Sequence, residues 1–362
     1  MEDLSRRNFI RLAGSSLLLL SLNPDEVFAK HNSKLHFKLP PKPLQYYIKE
    51  GKEKGGRVLI IGGIHGNEPG AYKAADILMD LDVKKGTVAV LPRTNFVSVL
   101  ANVRGYNGDM NRKFHRISRK DPDYRYVSFI KDFIDDFRPD VVLSLHDGYG
   151  FHIKNKKHWG QCIVIDAVSY KGYPLYSTAK YVADRVNKKI TKKHWKIPIH
   201  NTDTFNRYTK YKEQRKSLTY YVLSKCNIPA FCIEASKQLP DLETKTKMHL
   251  MMIKEFLEIF NVELDPGIDH VLSNLSSFIN RKRVYSVRLN INGRTEIINS
   301  SKTIKVPAGS RIRFESVYGN RGSFVIPEGV NLNYSGFYYS RNIRFFLKDD
   351  YKKVFTLKFV KT

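Results

Sequence analysis

The chain has 362 residues, of which 42% are apolar and 12% aromatic, and 62 Lys and Arg against 35 Asp and Glu give a formal charge of +27 at pH 7. This composition excludes a disordered protein and predicts one sizeable core with a smaller module beside it. The basic residues are spread along the chain without a nucleic-acid-binding motif, so we expect a basic surface that could attract an anionic polymer, and no nucleic-acid partner.

The first 29 residues predict an export signal. SRRNFIR at residues 5–11 precedes the apolar run LAGSSLLLLSL, and VFA at residues 27–29 supplies the small residues that a signal peptidase reads. The run is shorter than the ~20 apolar residues that a spanning helix needs. We therefore predict a cleaved twin-arginine signal, a periplasmic mature protein and no transmembrane segment in that mature chain.

Residues 57–260 alternate short apolar runs with longer amphipathic stretches. Runs rich in Val, Ile, Leu and Phe predict buried strands, namely RVLIIGG, TVAVLP, DVVLSLHD, CIVIDAV and AFCIEAS. Helical spacing is found at residues 69–81, 123–137, 174–190, 207–226 and 243–260. This alternation predicts an α/β fold with a largely parallel central sheet flanked by helices, and its chemistry should gather at the carboxyl ends of the strands.

After Asp265-Pro266-Gly267 the pattern changes to short β runs separated by Gly, Pro, Asn and Asp. Such runs predict a small all-β domain that either is structural or docks to substrate or a partner. The expected domains are the signal at 1–29, a catalytic domain at 30–265, a linker at 266–282 and the all-β accessory domain at 283–362.

Three cysteines, Cys162, Cys226 and Cys232, are too few for a disulfide framework. Cys162 and Cys232 lie in apolar strand-like runs, where a buried thiol is the usual state. A disulfide between Cys226 and Cys232 stays open, because spacing alone cannot decide it.

Four polar residues interrupt apolar strand ends: His65 and Glu68 in the turn GGIHGNEPG, His146 and Glu234. A polar side chain buried there needs a partner, and a divalent cation serves several at once. His65 and Glu68 alone could be ordinary turn and helix-start residues. With His146 they form a three-ligand set that suits one catalytic zinc, and Glu234 would then be the general base.

A second cluster, RGYNGDMNR at residues 104–112, is either a polar surface loop or part of the same site. Beside a zinc, Asn111 and Arg112 could clamp a terminal carboxylate. Arg104 could stabilise the oxyanion that forms on the scissile carbonyl.

Together these motifs resemble the zinc carboxypeptidase family in order and approximate spacing. With the export signal and the β module, they are most similar to bacterial peptidoglycan-trimming DL-carboxypeptidases that help to set cell shape. The resemblance covers about residues 50–260 and implies a mixed central sheet flanked by helices. It implies zinc binding by His65, Glu68 and His146, acid/base catalysis by Glu234, and the roles given above for the Arg104, Asn111 and Arg112 side chains. Some of these relatives carry Gln where this chain has His65.

The resemblance also implies a tyrosine that closes over substrate, for which Tyr208 and Tyr211 are candidates. His115, His152 and His158 lie near the site residues in sequence, but their spacing gives no support for metal binding. We expect them at the surface or behind the site.

The leading hypothesis is an exported zinc carboxypeptidase that removes the terminal meso-diaminopimelate from peptidoglycan tripeptides and so remodels the cell wall. A basic protein should also associate with the anionic wall, and other shape-determining proteins are candidate partners. One alternative is a zinc deacylase of the succinylglutamate desuccinylase and aspartoacylase type. Another is a non-catalytic wall-binding protein.

Overall fold

The computed structural model describes residues 33–281 and 283–362, so the predicted export signal lies outside the described residues. The chain forms two compact units. The β unit comprises residues 33–41, with strand β1 (Leu35–Lys38), together with Arg283–Thr362, and the larger unit begins at Lys42 and ends before Arg283. Within the described part of the chain, no helix is long and apolar enough to cross a membrane.

A mixed eight-stranded sheet forms the centre of the larger unit. Its strands are β2 (Tyr47–Glu50), β3 (Glu53–Ile61), β4 (Asp82–Leu91), β5 (Val141–Gly148), β6 (Cys162–Ile165), β7 (Ile199–Asn201), β8 (Ala230–Ser236) and β9 (Glu263–Asp265). The order is β2-β4-β3-β5-β8-β6-β7, with β9 beside β4. Strands β4, β3, β5 and β8 are parallel, whereas β2 and β9 run antiparallel to β4, and β6 runs antiparallel to β8. The predicted α/β class with a mixed sheet is therefore confirmed.

Helices pack around this sheet. They are α1 (Pro69–Leu78), α2 (Phe96–Ala101), α3 (Tyr124–Phe137), α4 (Leu175–Lys188), α5 (Leu218–Tyr221), α6 (Leu242–Ile259), α7 (Ile268–Ser273) and α8 (Leu275–Ile279). Four of the five predicted helical stretches match α1, α3, α4 and α6 to within a few residues at each end. Helix α3 ends at Phe137 and is capped by Arg138, which has a left-handed conformation and precedes Pro139. The Asp241 side chain caps the start of α6 by accepting a hydrogen bond from the Thr244 N–H.

Strands β3, β5 and β8 place the candidate site. They lie side by side in parallel, and the apolar residues of β5 and β8 are buried. Parallel strands covered on both faces need such continuous apolar runs. Their carboxyl ends meet at one edge of the sheet, where His146 of β5 pairs in register with Glu234 of β8.

The predicted helix at 207–226 is wrong over its first half. That segment contains a 3-10 turn (Lys212–Lys216), the single turn α5, and a π turn (Val222–Cys226). The Arg215 side chain instead donates hydrogen bonds to the backbone carbonyls of Thr204 and Asn206, which holds the preceding residues in a loop. Tertiary contacts outweigh the helical spacing here.

The two units also divide the chain differently from the predicted domains. The segment at 266–282 was expected to be a linker, but it contains α7 and α8, and both contact α6. Strand β1 was assigned to the catalytic domain, but it pairs with strands at 311–318 and 336–339 of the β unit. Backbone pairing across so long a sequence separation leaves no local signal in the sequence.

The β unit is built from two sheets. Its remaining strands are β10 (Ser286–Ile291), β11 (Arg294–Ile298), β12 (Lys302–Val306), β13 (Arg311–Tyr318), β14 (Ser323–Pro327), β15 (Gly336–Tyr339), β16 (Ile343–Asp349) and β17 (Lys352–Lys361). The five-stranded sheet has the order β11-β10-β13-β1-β15, and the four-stranded sheet has the order β12-β17-β16-β14. Their inner faces share one core of aliphatic and phenylalanine side chains. The predicted all-β character of this region is confirmed.

Candidate metal and catalytic site

His65, Glu68 and His146 come together at the carboxyl ends of β3 and β5. All three are buried, and one ligand atom from each lies within 4.8 Å of the others. The Nδ1 atoms of the two histidines are 3.0 Å apart. The carboxylate of Glu68 places Oε1 3.0 Å from His65 Nδ1 and Oε2 2.9 Å from His146 Nδ1. Tetrahedral zinc with bonds of ~2.0–2.1 Å separates its ligand atoms by about 3.3 Å, so this donor set fits the ion after small shifts.

The opposite nitrogens of the two imidazoles have other partners. His65 Nε2 lies 3.0 Å from Asp109 Oδ1, and His146 Nε2 lies 3.2 Å from the Ser144 hydroxyl. Such contacts fix the ring orientation and leave Nδ1 of each ring facing the shared position. Asp109 lies inside the motif that the sequence analysis singled out, yet this orienting contact was not predicted. Only the folded chain brings residue 109 beside residue 65.

The charges in this group are strongly coupled. Burial disfavours ionisation of Glu68, but the charge of His65 and the hydrogen bond from His146 hold the Glu68 pKa well below its ordinary value. Burial likewise opposes protonation of His65, but Glu68 and Asp109 outweigh it and raise the pKa of that imidazole. Burial lowers the pKa of His146, which favours a neutral ring. An anionic carboxylate beside a neutral imidazole is the form that binds a metal cation.

Glu234 projects from β8 beside this group. Its side chain is 7% exposed and lines the same cavity. Oε1 lies 3.5 Å from the Cys232 thiol, whereas the buried Oε2 has no hydrogen-bond partner among the described residues. Burial, reinforced by the charge of Glu68, raises the pKa of Glu234 well above its ordinary value. A carboxyl group with a raised pKa and an unpartnered oxygen facing a cavity is suited to proton transfer.

Arg104, Asn111 and Arg112 also line the cavity. Arg104 donates from Nη2 to Asp109 Oδ2 over 3.0 Å and lies 3.4 Å from Glu68 through Nη1. The Asn111 carboxamide oxygen accepts from the Leu218 backbone N–H at 2.9 Å, which ties the 3-10 turn at 110–112 to α5. Arg112 Nη1 donates to the Asn111 carbonyl over 2.9 Å, so its guanidinium is held beside the cavity.

Several charged residues of the cavity wall were not singled out in the sequence, among them Lys237 and Asp166. Lys237 directly follows β8, with Nζ 3.6 Å from Glu68 Oε1. Asp166 follows β6, is 4% exposed, and accepts a 2.6 Å hydrogen bond from the Thr204 hydroxyl. Burial raises the pKa of Asp166, and its threonine partners only partly offset this, while no cation pairs with it in the described part of the chain. The cavity has a volume of about 440 Å³.

The structure shows which of the other candidate tyrosines and histidines lie at the cavity. Tyr211 lines the cavity and packs against Trp159 with ring centroids 5.5 Å apart, whereas Tyr208 is 78% exposed and does not line it. His115 is exposed, and His152 is buried away from the ligand group, where its Nδ1 approaches the carbonyl of His158.

All three cysteines are free, so the disulfide that the sequence left open is not formed.

The fold and the buried His-Glu-His group together define the class of metallopeptidases with an α/β core. Residues 43–280 match the family described as the catalytic part of carboxypeptidases controlling helical cell shape. The chain belongs to this family and is a peptidase of the hydrolase class. No curated protein matches the chain.

Solved structures of the cell shape determinant protein Csd4 from Helicobacter pylori are similar to this chain. A Gln-to-His variant gives a TM-score of 0.69 at 28% identity, covering 87% of this chain and 76% of that chain. The tripeptide-bound form gives 0.58 at 22% identity, with 88% and 100% covered. The mDAP-bound form, described as a D,L-carboxypeptidase, gives 0.57 at 21% identity, with 87% and 100% covered. At these lower identities the last two structures establish the likeness of fold.

Proposed function

We propose that this protein is an exported zinc carboxypeptidase that trims peptidoglycan stem peptides in the periplasm. The observation that carries the proposal is the convergence, in one cavity, of three buried metal-ligand side chains with Glu234 and a set of cationic side chains. Burying charged side chains is unfavourable unless they pair with a partner, so motifs with unrelated surface roles would not bury several of them at one place. The twin-arginine motif at residues 5–11 supports export.

His65, Glu68 and His146 would hold one zinc per chain. When bound, zinc polarises a scissile carbonyl and makes a water molecule more acidic. Asp109 would keep the His65 ring in place for this ion, because it contacts the nitrogen that faces away from the ligand group.

The cationic side of the cavity would bind the end of a peptide. Asn111 and Arg112 would hold the free carboxylate, since a guanidinium matches a carboxylate with two parallel hydrogen bonds. Arg104 would face the scissile carbonyl, where its charge stabilises the oxyanion of the tetrahedral intermediate. Both arginines line the cavity that contains the proposed ligands.

Glu234 would move the proton during hydrolysis. It would take a proton from the attacking water as the new C–O bond forms. It would then return that proton to the leaving nitrogen as the C–N bond breaks. Its unpartnered Oε2 supplies the accepting atom, and its raised pKa keeps the proton available for the second step.

Two of the remaining wall charges, Asp166 and Lys237, favour a terminal residue that carries both an amine and an additional carboxylate. Asp166 offers a buried carboxylate to an ammonium group, and Lys237 offers an ammonium group to a carboxylate. Meso-diaminopimelate has both groups on its side chain, so we propose it as the residue released from the tripeptide. Csd4 structures with a tripeptide and with mDAP provide a precedent in a relative.

The test uses purified protein with a muropeptide tripeptide, a tetrapeptide and N-acyl amino acids, with products identified by mass spectrometry. We expect release of diaminopimelate from the tripeptide only, and loss of release with a chelator. Release of the acyl group from N-acyl amino acids would instead support the deacylase alternative. Absence of all turnover in zinc-loaded protein would overturn the proposal and favour the wall-binding alternative.

The proposed pairing of Asp166 with the ammonium group of the substrate can be tested separately from the hydrolysis step. Asp166→Asn should raise KM for a tripeptide that ends in diaminopimelate and leave KM unchanged for one whose terminal side chain lacks the amine. An equal change for both substrates would contradict the proposed pairing.

A further inference from the structure

The outer face of the five-stranded sheet in the β unit carries a cluster of basic side chains that are paired across two strands. Arg311 and Arg313 of β13 lie opposite His36 and Lys38 of β1. Residues alternate between core and exterior along both strands, so these four side chains share the outer face. Tyr338 of β15 continues the row beyond His36, with ring centroids 4.4 Å apart.

This arrangement of like charges destabilises the β unit when no anion is bound. Like charges directly opposite each other on neighbouring strands repel, as Arg313 and Lys38 do here. Glu315 partly neutralises Arg313 through a 2.8 Å ion pair. Lys38 and Arg311 have no ion-pair partner among residues 33–281 and 283–362. An external anion would therefore remove a repulsion that the fold itself leaves in place.

The cluster lines a groove. Lys38, Arg311 and Arg313 border a cavity of about 550 Å³ together with Asn290 and Asn292. Gly336 lies opposite Lys38 on β15 and has no side chain to cover it. The groove is thus open and concave and is bordered by charged side chains, with the exposed ring of Tyr338 in the neighbouring row.

The net charge of the whole β unit also favours an anionic ligand. Residues 33–41 and 283–362 contain 17 Lys and Arg against 5 Asp and Glu. This unit holds about a quarter of the chain but contributes +12 of the formal charge of +27. A strongly basic surface attracts polyanions over about a Debye length.

We propose that this groove is a docking site for the carboxylate-bearing stem peptides of intact peptidoglycan, separate from the catalytic cavity. The carboxylates would pair with Lys38 and Arg311, which have no ion-pair partner among the described residues. The ring of Tyr338 in the neighbouring row offers a flat surface on which a sugar could pack. An anionic membrane is the weaker fit, since its surface is flat and would favour a broad basic face over a concave groove bordered by three cationic side chains. The docking would concentrate the enzyme on the wall independently of catalysis.

The test compares two charge-reversed variants of the full chain in co-sedimentation with purified sacculi at several salt concentrations. The docking variant is Lys38→Glu with Arg311→Glu. The control is Lys305→Glu with Lys358→Glu, which changes the charge equally on exposed positions of the four-stranded sheet. We expect the docking variant to bind sacculi about tenfold more weakly. The control should bind nearly as the wild type does, and amidation of the sacculus carboxylates should abolish the difference between the variants.

Turnover of the soluble tripeptide separates docking from catalysis. If the protein has the proposed activity, both variants should retain it, and circular dichroism should report the same fold. The neutral pair Lys38→Gln with Arg311→Gln replaces the reversed pair if that pair unfolds. Equal loss of binding in both variants would show that net charge alone is responsible, and loss in neither would also overturn the proposal. Retained sacculus binding with a selective loss of binding to phosphatidylglycerol vesicles would assign the groove to membranes.

Discussion

The larger unit and the β unit both concentrate charge, but they do so in opposite ways. His65, Glu68 and His146 are buried, in mutual contact and matched to a cation, so each depends on the others. Lys38 and Arg311 are water-accessible and lie on a surface whose partner would be an anion. Burying a charge is energetically unfavourable and couples it strongly to its neighbours. An exposed charge has little effect on the free energy of folding, and salt screens its interactions. Substitutions in the first group should therefore have large, specific effects, and those in the second should have modest, salt-dependent effects.

The largest effect should come from Glu234→Gln, which keeps the shape of the side chain but removes its proton-accepting carboxylate. General acid–base groups contribute ~10²–10⁴-fold to rates, so kcat should fall by about that factor while zinc content stays unchanged. Steady-state kinetics and metal analysis measure both quantities. Glu213→Gln is a matched control, because Glu213 also lines the cavity but is exposed and pairs with Lys216. Equal losses in both variants would contradict the role of Glu234.

Asp109→Asn should weaken zinc binding about 10–100-fold, since loss of such an orienting carboxylate typically has that effect. Competition with a chromophoric chelator measures the affinity. Asp121→Asn removes a nearby carboxylate that pairs with Lys113 and should leave the affinity unchanged. An unchanged affinity in Asp109→Asn would mean that the contact with His65 does not support the metal.

Arg112→Lys tests geometry apart from charge. Lysine keeps the cation but lacks the planar fork that binds both carboxylate oxygens, so KM should rise by about tenfold with a smaller change in kcat. A tripeptide with an amidated terminus supplies the control, because it lacks the carboxylate and should not distinguish the variant from the wild type. If KM for the free acid were unaffected, the terminal carboxylate would have to bind elsewhere.

The smallest effect concerns stability against pH. Burial, followed by the charge of His152, lowers the pKa of His200 to about 4. His200 is therefore protonated near pH 6.5 in the unfolded chain but only near pH 4 in the folded chain. The His200 contribution to stability is fully present above pH 6.5 and is lost as the pH falls towards 4. Urea denaturation of metal-free His200→Gln should show a shallower loss over this window than the wild type, and an identical slope would contradict the assignment.

Much of the larger unit could be predicted from the sequence. Its strands β5, β6 and β8 are buried and therefore have continuous apolar sequences, so the polar residues that interrupt them, such as His146 and Glu234, stand out. The roles proposed for Asp166 and Lys237 could not be predicted, because a single charged residue after a strand has no distinctive spacing. Segment 207–226 has helical spacing, but the Arg215 contacts and the bond from Leu218 N–H to Asn111 decide its conformation.

The β unit was predictable in class but not in extent. Alternation of apolar and polar residues identifies its strands after residue 283. Pairing of β1 with β13 and β15 joins segments that are far apart in the sequence, as in the pairs of His36 with Arg311 and with Tyr338. The cation row depends on this register, so it could be found only in the folded structure.

Zinc titration of metal-free protein tests the central claim most directly. Activity on the tripeptide should rise in proportion to added zinc and reach a plateau at one equivalent per chain, and His146→Ala should show neither stoichiometric binding nor activity. Full activity in the absence of metal, or the same zinc stoichiometry in His146→Ala, would contradict a catalytic metal held by His65, Glu68 and His146.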